Sequence, residues 1–258
     1  IESCWWIMKD LFDRGLLVED YKTTWHSPSS NTTLASHEVA LGYKEDVEDP
    51  SIYPKFPALT ADLEARGVVP AGFDRPVYFL AWTTTPWTLA ANSGLAVQAE
   101  AEYALVEAPA KHGDPGPRDV YVLAASLVAD VFDEGSYEIL GRFKGADLVG
   151  AAYRPLLRGQ PGDDADVSTG YRVVADDFVS LTDGTGIVHV APAYGDLEVG
   201  RAHGLPAIFS VDLTGKVMPQ VRPVGAPEEG DGPYTGVWFK EADDLITQDL
   251  TEAGLMFR

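Results

Sequence analysis

The sequence predicts a mainly β protein with peripheral helices, an α+β chain folded as a closed or nearly closed β-barrel. Glycine and proline are frequent, 25 and 18 of 258 residues, so turns recur and strands are short. Short β-branched or aromatic stretches bounded by turn residues recur at 77–82, 103–107, 120–124, 171–175, 187–191, 208–211 and 216–221. Helical periodicity is confined to a few pieces. The composition, 45% hydrophobic and 23% charged, suits one large soluble domain, or one domain with smaller attached parts.

Taken in order, residues 3–14 read as a helix. Ser3 is its candidate cap, Trp5, Met8, Leu11 and Phe12 share a face, and Gly15 stops it. A strand-like stretch follows at 16–25. Further helical pieces fall at 58–65, 126–132 and 197–202, and turn-rich loops at 109–118, 159–169 and 222–236. Near the far end Ala242, Leu245, Ile246 and Leu250 make a helical face that closes at Gly254. Each end is thus a helix, a glycine stop and a short apolar strand. Many helices end this way; the other reading is that both ends are junctions into one host domain.

Charge excludes some functions. With 19 Lys and Arg against 40 Asp and Glu, the net charge is −21. Phosphate affinity is assembled from lysine and arginine, so a broad basic face for DNA or RNA is excluded, and the charge argues against docking on anionic membranes. A shape-specific pocket for one end of a nucleic acid is compatible with this charge. Cys4 is the single cysteine, which leaves no internal disulfide and no cysteine-based metal site. Residues 1–20 contain Glu2, Lys9, Asp10 and Asp13 and make no signal peptide. Beginning at Ile1, the chain reads as a segment of a longer protein. Residues 76–99 carry no charge, but Pro86 and four threonines make them a poor membrane helix. A buried strand, a polar turn and a short helix is the better expectation.

Familiar catalytic signatures are absent. There is no G-x-S-x-G elbow, Gly215-Lys216 lacks the rest of a phosphate loop, and His37-Glu38 has Leu41 where a zinc protease helix has histidine. Two segments carry chemistry instead. In Trp82-Thr-Thr-Thr-Pro-Trp-Thr88 a strand ends, three hydroxyls follow, and Pro86 is pre-shaped to open a helix that Thr85 could cap. The amides of such a start can hold a carbonyl oxygen, an oxyanion or a phosphate. Consecutive threonines are also ordinary strand residues. In Gly184-Thr-Gly-Ile-Val-His-Val-Ala-Pro-Ala-Tyr-Gly-Asp196, His189 sits in an apolar strand. It suits an acid/base, a metal ligand or a steric gauge; it equally suits a core histidine satisfied by a carbonyl. Asp196 also suits the cap of the next helix.

Together, Trp82-Thr-Thr-Thr-Pro-Trp-Thr-Leu-Ala-Ala-Asn92 and Gly184-Thr-Gly-Ile-Val-His-Val-Ala-Pro192 resemble the editing domain inserted in isoleucyl-tRNA synthetases. The valyl and leucyl enzymes share the paired threonines. The resemblance extends to Ser36-His-Glu-Val-Ala-Leu-Gly-Tyr-Lys-Glu45, Asp49-Pro-Ser-Ile-Tyr53 and Tyr234-Thr-Gly-Val-Trp-Phe-Lys-Glu-Ala242, nearly the whole chain. It implies the barrel of the valyl/isoleucyl/leucyl editing type at 45–222. Connecting segments at 1–44 and 223–258 would run to a host catalytic domain. Pockets discriminate weakly against a substrate one methylene smaller, a limit these synthetases themselves illustrate. The implied activity is therefore hydrolysis of mischarged valyl-tRNA(Ile), and of valyl-adenylate.

The resemblance also implies roles. Thr83, Thr84 and Thr85 would line the ester and terminal adenosine, with Trp82, Trp87, Thr88, Asn92 and Tyr194 beside them. His189 would exclude isoleucine by its bulk, and Asp196 would bind the α-ammonium. A positioned water would attack the ester, organised by hydroxyls, amides and substrate ribose. This sequence is two residues shorter than the family pattern between the histidine and the acid. Aligning Asp-Leu-Glu selects Asp196, whereas ungapped counting selects Glu198; Asp196 is preferred. Ser27-Pro-Ser-Ser30 stands where many relatives have a zinc-binding cysteine pair, and serine is a poor zinc ligand, so no metal is expected. No cofactor is expected in the segment; ATP and Mg would belong to the host domain. Expected partners are the tRNA(Ile) acceptor end, valyl-adenylate or valyl-tRNA, and the host domain in cis, with no membrane. The segment would be monomeric and cytoplasmic. A binding module without turnover is the alternative, and an unrelated β-barrel interaction protein a further one.

Overall fold

The computed structural model describes residues 1–40, 42, 46–193 and 195–258. A five-stranded sheet dominates, in spatial order Lys55–Pro57, Val77–Leu80, Arg118–Ala124, Glu102–Pro109, Glu138–Lys144. Its Val77–Leu80 and Arg118–Ala124 strands run parallel, and its other neighbours antiparallel. A second sheet has Gly94–Val97 in the middle, parallel to Arg172–Ala175 and antiparallel to Val188–Val190.

Side-chain alternation explains why the larger sheet is stable. Successive strand residues point to opposite faces. Tyr103 and Leu105 join one hydrophobic core with Val120, Val122 and Ala124. Ala104, Val106 and Ala108 join the other with Tyr121 and Leu123. A sheet covered on both faces needs near-continuous apolar strands, which is what Tyr-Ala-Leu-Val and Val-Tyr-Val-Leu provide. Each fully buried side chain of this size contributes roughly 1.5–3 kcal/mol.

Single bridges carry the larger sheet round toward the smaller one: Ala58 pairs with Tyr153, and Ala152 with Arg172. On the other side the Ala124 amide donates to the Thr185 carbonyl at 2.9 Å. The fold is therefore mixed α/β with helices outside. Among the described residues no ladder joins the two outer strands of the larger sheet to each other.

Local departures from expectation have local causes. The first helix spans Glu2–Asp13, with no side-chain cap from Ser3 and no buried residue. Residues 16–25 form no ladder. Lys55–Pro57, Gly94–Val97 and Glu138–Lys144 are strands that β-propensity passes over, since they hold Lys, Pro, Gly, Ala and Glu. The last is an edge strand whose exposure alternates residue by residue, where charge is an asset. In 208–211 only Ile208–Phe209 forms a strand, and 216–221 contributes isolated bridges. The uncharged stretch folds as expected, into strand Val77–Leu80, a turn, and the 3₁₀ helix Pro86–Ala91. No helix among the described residues is long and apolar enough to cross a membrane.

Candidate functional site

The threonine run begins where a strand stops. Thr83 makes an antiparallel bridge with Ile52, through backbone bonds of 3.0 and 3.1 Å. Pro86 then opens the 3₁₀ helix, whose fixed φ and missing N–H suit the first position. The Thr85 side chain makes no cap bond. Its hydroxyl instead lies 3.0 Å from that of Thr88 and 3.2 Å from that of Thr83, and the Thr85 amide donates to Thr83 Oγ1 at 3.1 Å.

His189 reaches this cluster through the smaller sheet. The 3₁₀ helix leads into strand Gly94–Val97, in which Leu95 is paired with His189. The imidazole Nε2 lies 3.1 Å from Thr88 Oγ1 and 3.5 Å from Thr83 Oγ1. Thr88 gives its own proton to the Thr85 carbonyl at 2.7 Å. Toward the imidazole Thr88 therefore accepts, which puts the ring proton on Nε2. Nδ1 is left as a buried acceptor with no partner among the described residues. Burial pulls the His189 pKa down to about 4, so the ring is neutral at pH 7.

Asp196 stands at the start of helix Asp196–Ala202, and Gly195, not Asp196, occupies the cap position. The carboxylate turns back to the Ala191 amide at 3.5 Å, just beyond the strand that carries His189. Burial lifts its pKa to about 6, the Ala191 amide opposes this, and Glu198 adds to it. Asp196 lines a cavity of about 70 Å³ with Ser93, Ala191 and Leu205. Glu198, two residues further along the helix, is exposed.

The structure thus gathers Thr83, Thr85, Thr88 and His189 into one hydrogen-bonded cluster. Asn92, Trp82 and Trp87 bond to other partners. Asn92 is buried, accepts from the Tyr153 hydroxyl at 2.6 Å and donates to the Gly94 carbonyl at 2.9 Å. Trp82 donates to Ser51 at 2.8 Å. The Trp87 ring packs on Phe239, and its amide donates to Asp243. Thr84 is half-buried beside the cluster. Tyr194 lies outside the described residues. Ser27, Ser29 and Ser30 bond one another. Tyr153 and Asp243 escape a motif search. Asp243 has a visible signal nonetheless: an acid on the 243, 246, 250 stripe that is otherwise apolar.

Comparison with known proteins agrees with this architecture. A cytosolic leucyl-tRNA synthetase editing domain from P. knowlesi superposes with a TM-score of 0.54 at 12% identity, over 84% of this chain and 99% of that one. The fold is that of a synthetase editing domain. No family model matches the chain. Isoleucine–tRNA ligases match all of it: 39% identity with that of Dehalococcoides mccartyi and 41% with that of Thermus thermophilus, over 25% and 22% of those proteins. The chain is homologous from end to end to a segment of isoleucine–tRNA ligases, and it spans about a quarter of their length.

Proposed function

We propose that this chain is the editing segment of an isoleucine–tRNA ligase and hydrolyses the ester of mischarged valyl-tRNA(Ile). Valyl-adenylate is a second substrate of the same site. One observation carries the reading: Thr83, Thr85 and Thr88, from one stretch of chain, share a hydrogen-bonded cluster with His189, from another. A water oxygen attacks the ester carbonyl carbon, and the carbonyl oxygen gains charge. The ester C–O bond then breaks, and the terminal ribose hydroxyl of the tRNA leaves with a proton from water. The threonine hydroxyls and turn amides position water and oxyanion. Neutral His189 limits the size of the side chain admitted, and Asp196 receives the α-ammonium. Thr84 adds to the threonine hydroxyls, and Trp82, Trp87 and Asn92 act from behind them, through their bonds to Ser51, Asp243 and Tyr153. The acceptor end of tRNA(Ile) and the ligase's catalytic domain in cis are the partners, in the cytoplasm.

The test is deacylation of valyl-tRNA(Ile) by the full-length ligase that contains this chain. Release of valine well above the spontaneous rate is expected, with loss in a Thr83→Ala, Thr88→Ala double variant that still charges isoleucine. Tight binding of a non-hydrolysable valyl ester analogue with no turnover would replace the proposal with a binding module.

A further inference from the structure

Helix Phe239–Glu252 packs on the Pro86–Ala91 helix and carries a carboxylate that the proposed reaction does not use. Asp243 is 3% exposed. Its Oδ1 accepts the backbone N–H of Trp87 at 2.9 Å. Its Oδ2, and the Trp87 indole nitrogen, are buried with no partner among the described residues. A buried polar atom without a partner costs about 1–3 kcal/mol. Retaining a carboxylate there, on an otherwise apolar stripe, points to a task for its other oxygen.

The task follows from the amides of the 3₁₀ helix. Pro86 has no N–H to offer. The Thr88 amide is already bonded to the Thr85 carbonyl at 2.9 Å. The Trp87 amide lies between them, and the first turn of a helix supplies no partner for it. Asp243 supplies one. The same helix also holds the Trp87 ring, with Phe239 at a centroid distance of 5.0 Å and an interplanar angle of 63°. Trp87 is therefore gripped at backbone and ring, between the two threonines, Thr85 and Thr88, whose hydroxyls lead to His189.

We propose that Asp243 is a positioning residue for the threonine cluster: by fixing the Trp87 amide it holds the Thr85 and Thr88 hydroxyls in register with His189. This rests on the deacylase reading above. The function assigned is to hold a turn, so an acceptor oxygen is what matters, not the negative charge.

The experiment uses the full-length ligase and compares Asp243→Asn with Asp243→Leu. Asparagine keeps an oxygen facing Trp87, whereas leucine has the same shape and no acceptor. Deacylation kcat and KM, isoleucine charging, and exchange of the Trp87 amide are measured. Asp243→Leu should lower kcat at least about tenfold, equivalent to one ordinary hydrogen bond at about 1.4 kcal/mol, with KM and charging within twofold. Asp243→Asn should restore kcat, and the Trp87 amide should exchange fast in leucine only. If leucine prevents folding, Asp243→Ser, whose hydroxyl is too short to reach, carries the same expectation. Wild-type kcat in the leucine or serine variant overturns the proposal, as does an equal fall in the asparagine variant. If the wild-type ligase itself fails to deacylate valyl-tRNA, the functional reading fails. The clamp is then judged by amide exchange alone, and protection that persists in the leucine or serine variant overturns it.

Discussion

The imidazole of His189 donates through Nε2 to the hydroxyl of Thr88 across 3.1 Å, joining residues 101 positions apart in the chain. The smaller sheet makes this contact possible, because its central strand follows the threonine helix directly and pairs Leu95 with His189. A desolvated ring whose pKa is near 4 is neutral when proteins are made. In the proposed reaction it is a wall, not an acid.

That wall sets the first prediction. His189→Ala removes the ring and leaves space for an extra methylene. Isoleucyl-tRNA(Ile) should then be hydrolysed about tenfold faster or more than by the unsubstituted chain; the small energies available from one methylene, which isoleucyl-tRNA synthetases themselves illustrate, make steric exclusion the effective device. Single-turnover deacylation of the isoleucyl ester measures it. A variant that still spares the correct product removes the gauge role from His189.

The same ring makes stability depend on pH in a definite direction. Its folded pKa is depressed from 6.5 to about 4, so its contribution is complete above about 6.5 and is lost as pH falls toward 4. Asp196 and Asp243, each raised to about 6, act in the opposite sense: their contribution is complete below about 4 and is lost as pH rises through 6. Comparing wild type with His189→Asn isolates the ring. The wild-type advantage in urea unfolding should shrink by about 2 kcal/mol between pH 7 and pH 5, since the unfolded histidine gains its proton over that range and the folded one does not. An unchanged difference would mean the ring is solvated.

Asp196 and Glu198 separate by burial. The half-buried carboxylate of Asp196 faces back toward the end of the His189 strand, and Glu198 points to solvent. Asp196→Asn should raise KM for the valyl ester about tenfold at pH 7, the scale of one charge-assisted hydrogen bond. In wild type KM should rise by a similar factor from pH 7 to pH 5, as a carboxyl of pKa about 6 becomes mostly neutral. Glu198→Ala should leave KM within twofold. The reverse pattern assigns the amine site to Glu198.

Much of this was legible in the chain itself, and for identifiable reasons. Short β-branched and aromatic stretches at 103–107 and 120–124, bounded by turn residues, report strands directly. Proline after a hydroxyl run reports a helix start. Strands stabilised by their neighbours were not legible. Gly94–Val97 is buried because strands flank it on both sides, and its glycine and alanine carry little propensity of their own. Nor was the direction of Asn92 legible: a polar residue beside a polar turn reads as wall, but Tyr153, 61 residues away, draws it into the core.

The Tyr153 and Asn92 pair supplies a prediction about that core. The hydroxyl donates to Oδ1 at 2.6 Å while the Asn92 amide donates to Gly94, at the head of the strand that pairs with His189. Tyr153→Phe keeps the ring contacts with Phe56 and Tyr171 and leaves Oδ1 without its donor. A loss of about 1–3 kcal/mol in urea unfolding is expected. No loss would mean that another donor replaces the tyrosine.

Gly186 lies three residues before His189, where the chain enters the strand that carries the imidazole. Its φ is +71°, and a Cβ there would lie 2.3 Å from the Cβ of Ala124. Its carbonyl accepts from the Tyr103 hydroxyl at 2.7 Å, and the preceding Thr185 carbonyl accepts from Ala124. Two hydrogen bonds and this close approach therefore fix the chain just before strand Val188–Val190, which brings His189 to Thr88. Gly186→Ala adds left-handed backbone strain to a clash with a short side chain that has no rotamer to escape into. It should cost about 2–4 kcal/mol. Gly195→Ala shares the positive φ, +88°, but meets nothing within 4 Å, so it should cost only about 1 kcal/mol. If this placement is what matters, Gly186→Ala should also lower valyl-tRNA deacylation at temperatures where the variant remains folded. Equal stability losses in the two variants would show that backbone strain alone explains the glycine, with no part for the contact with Ala124.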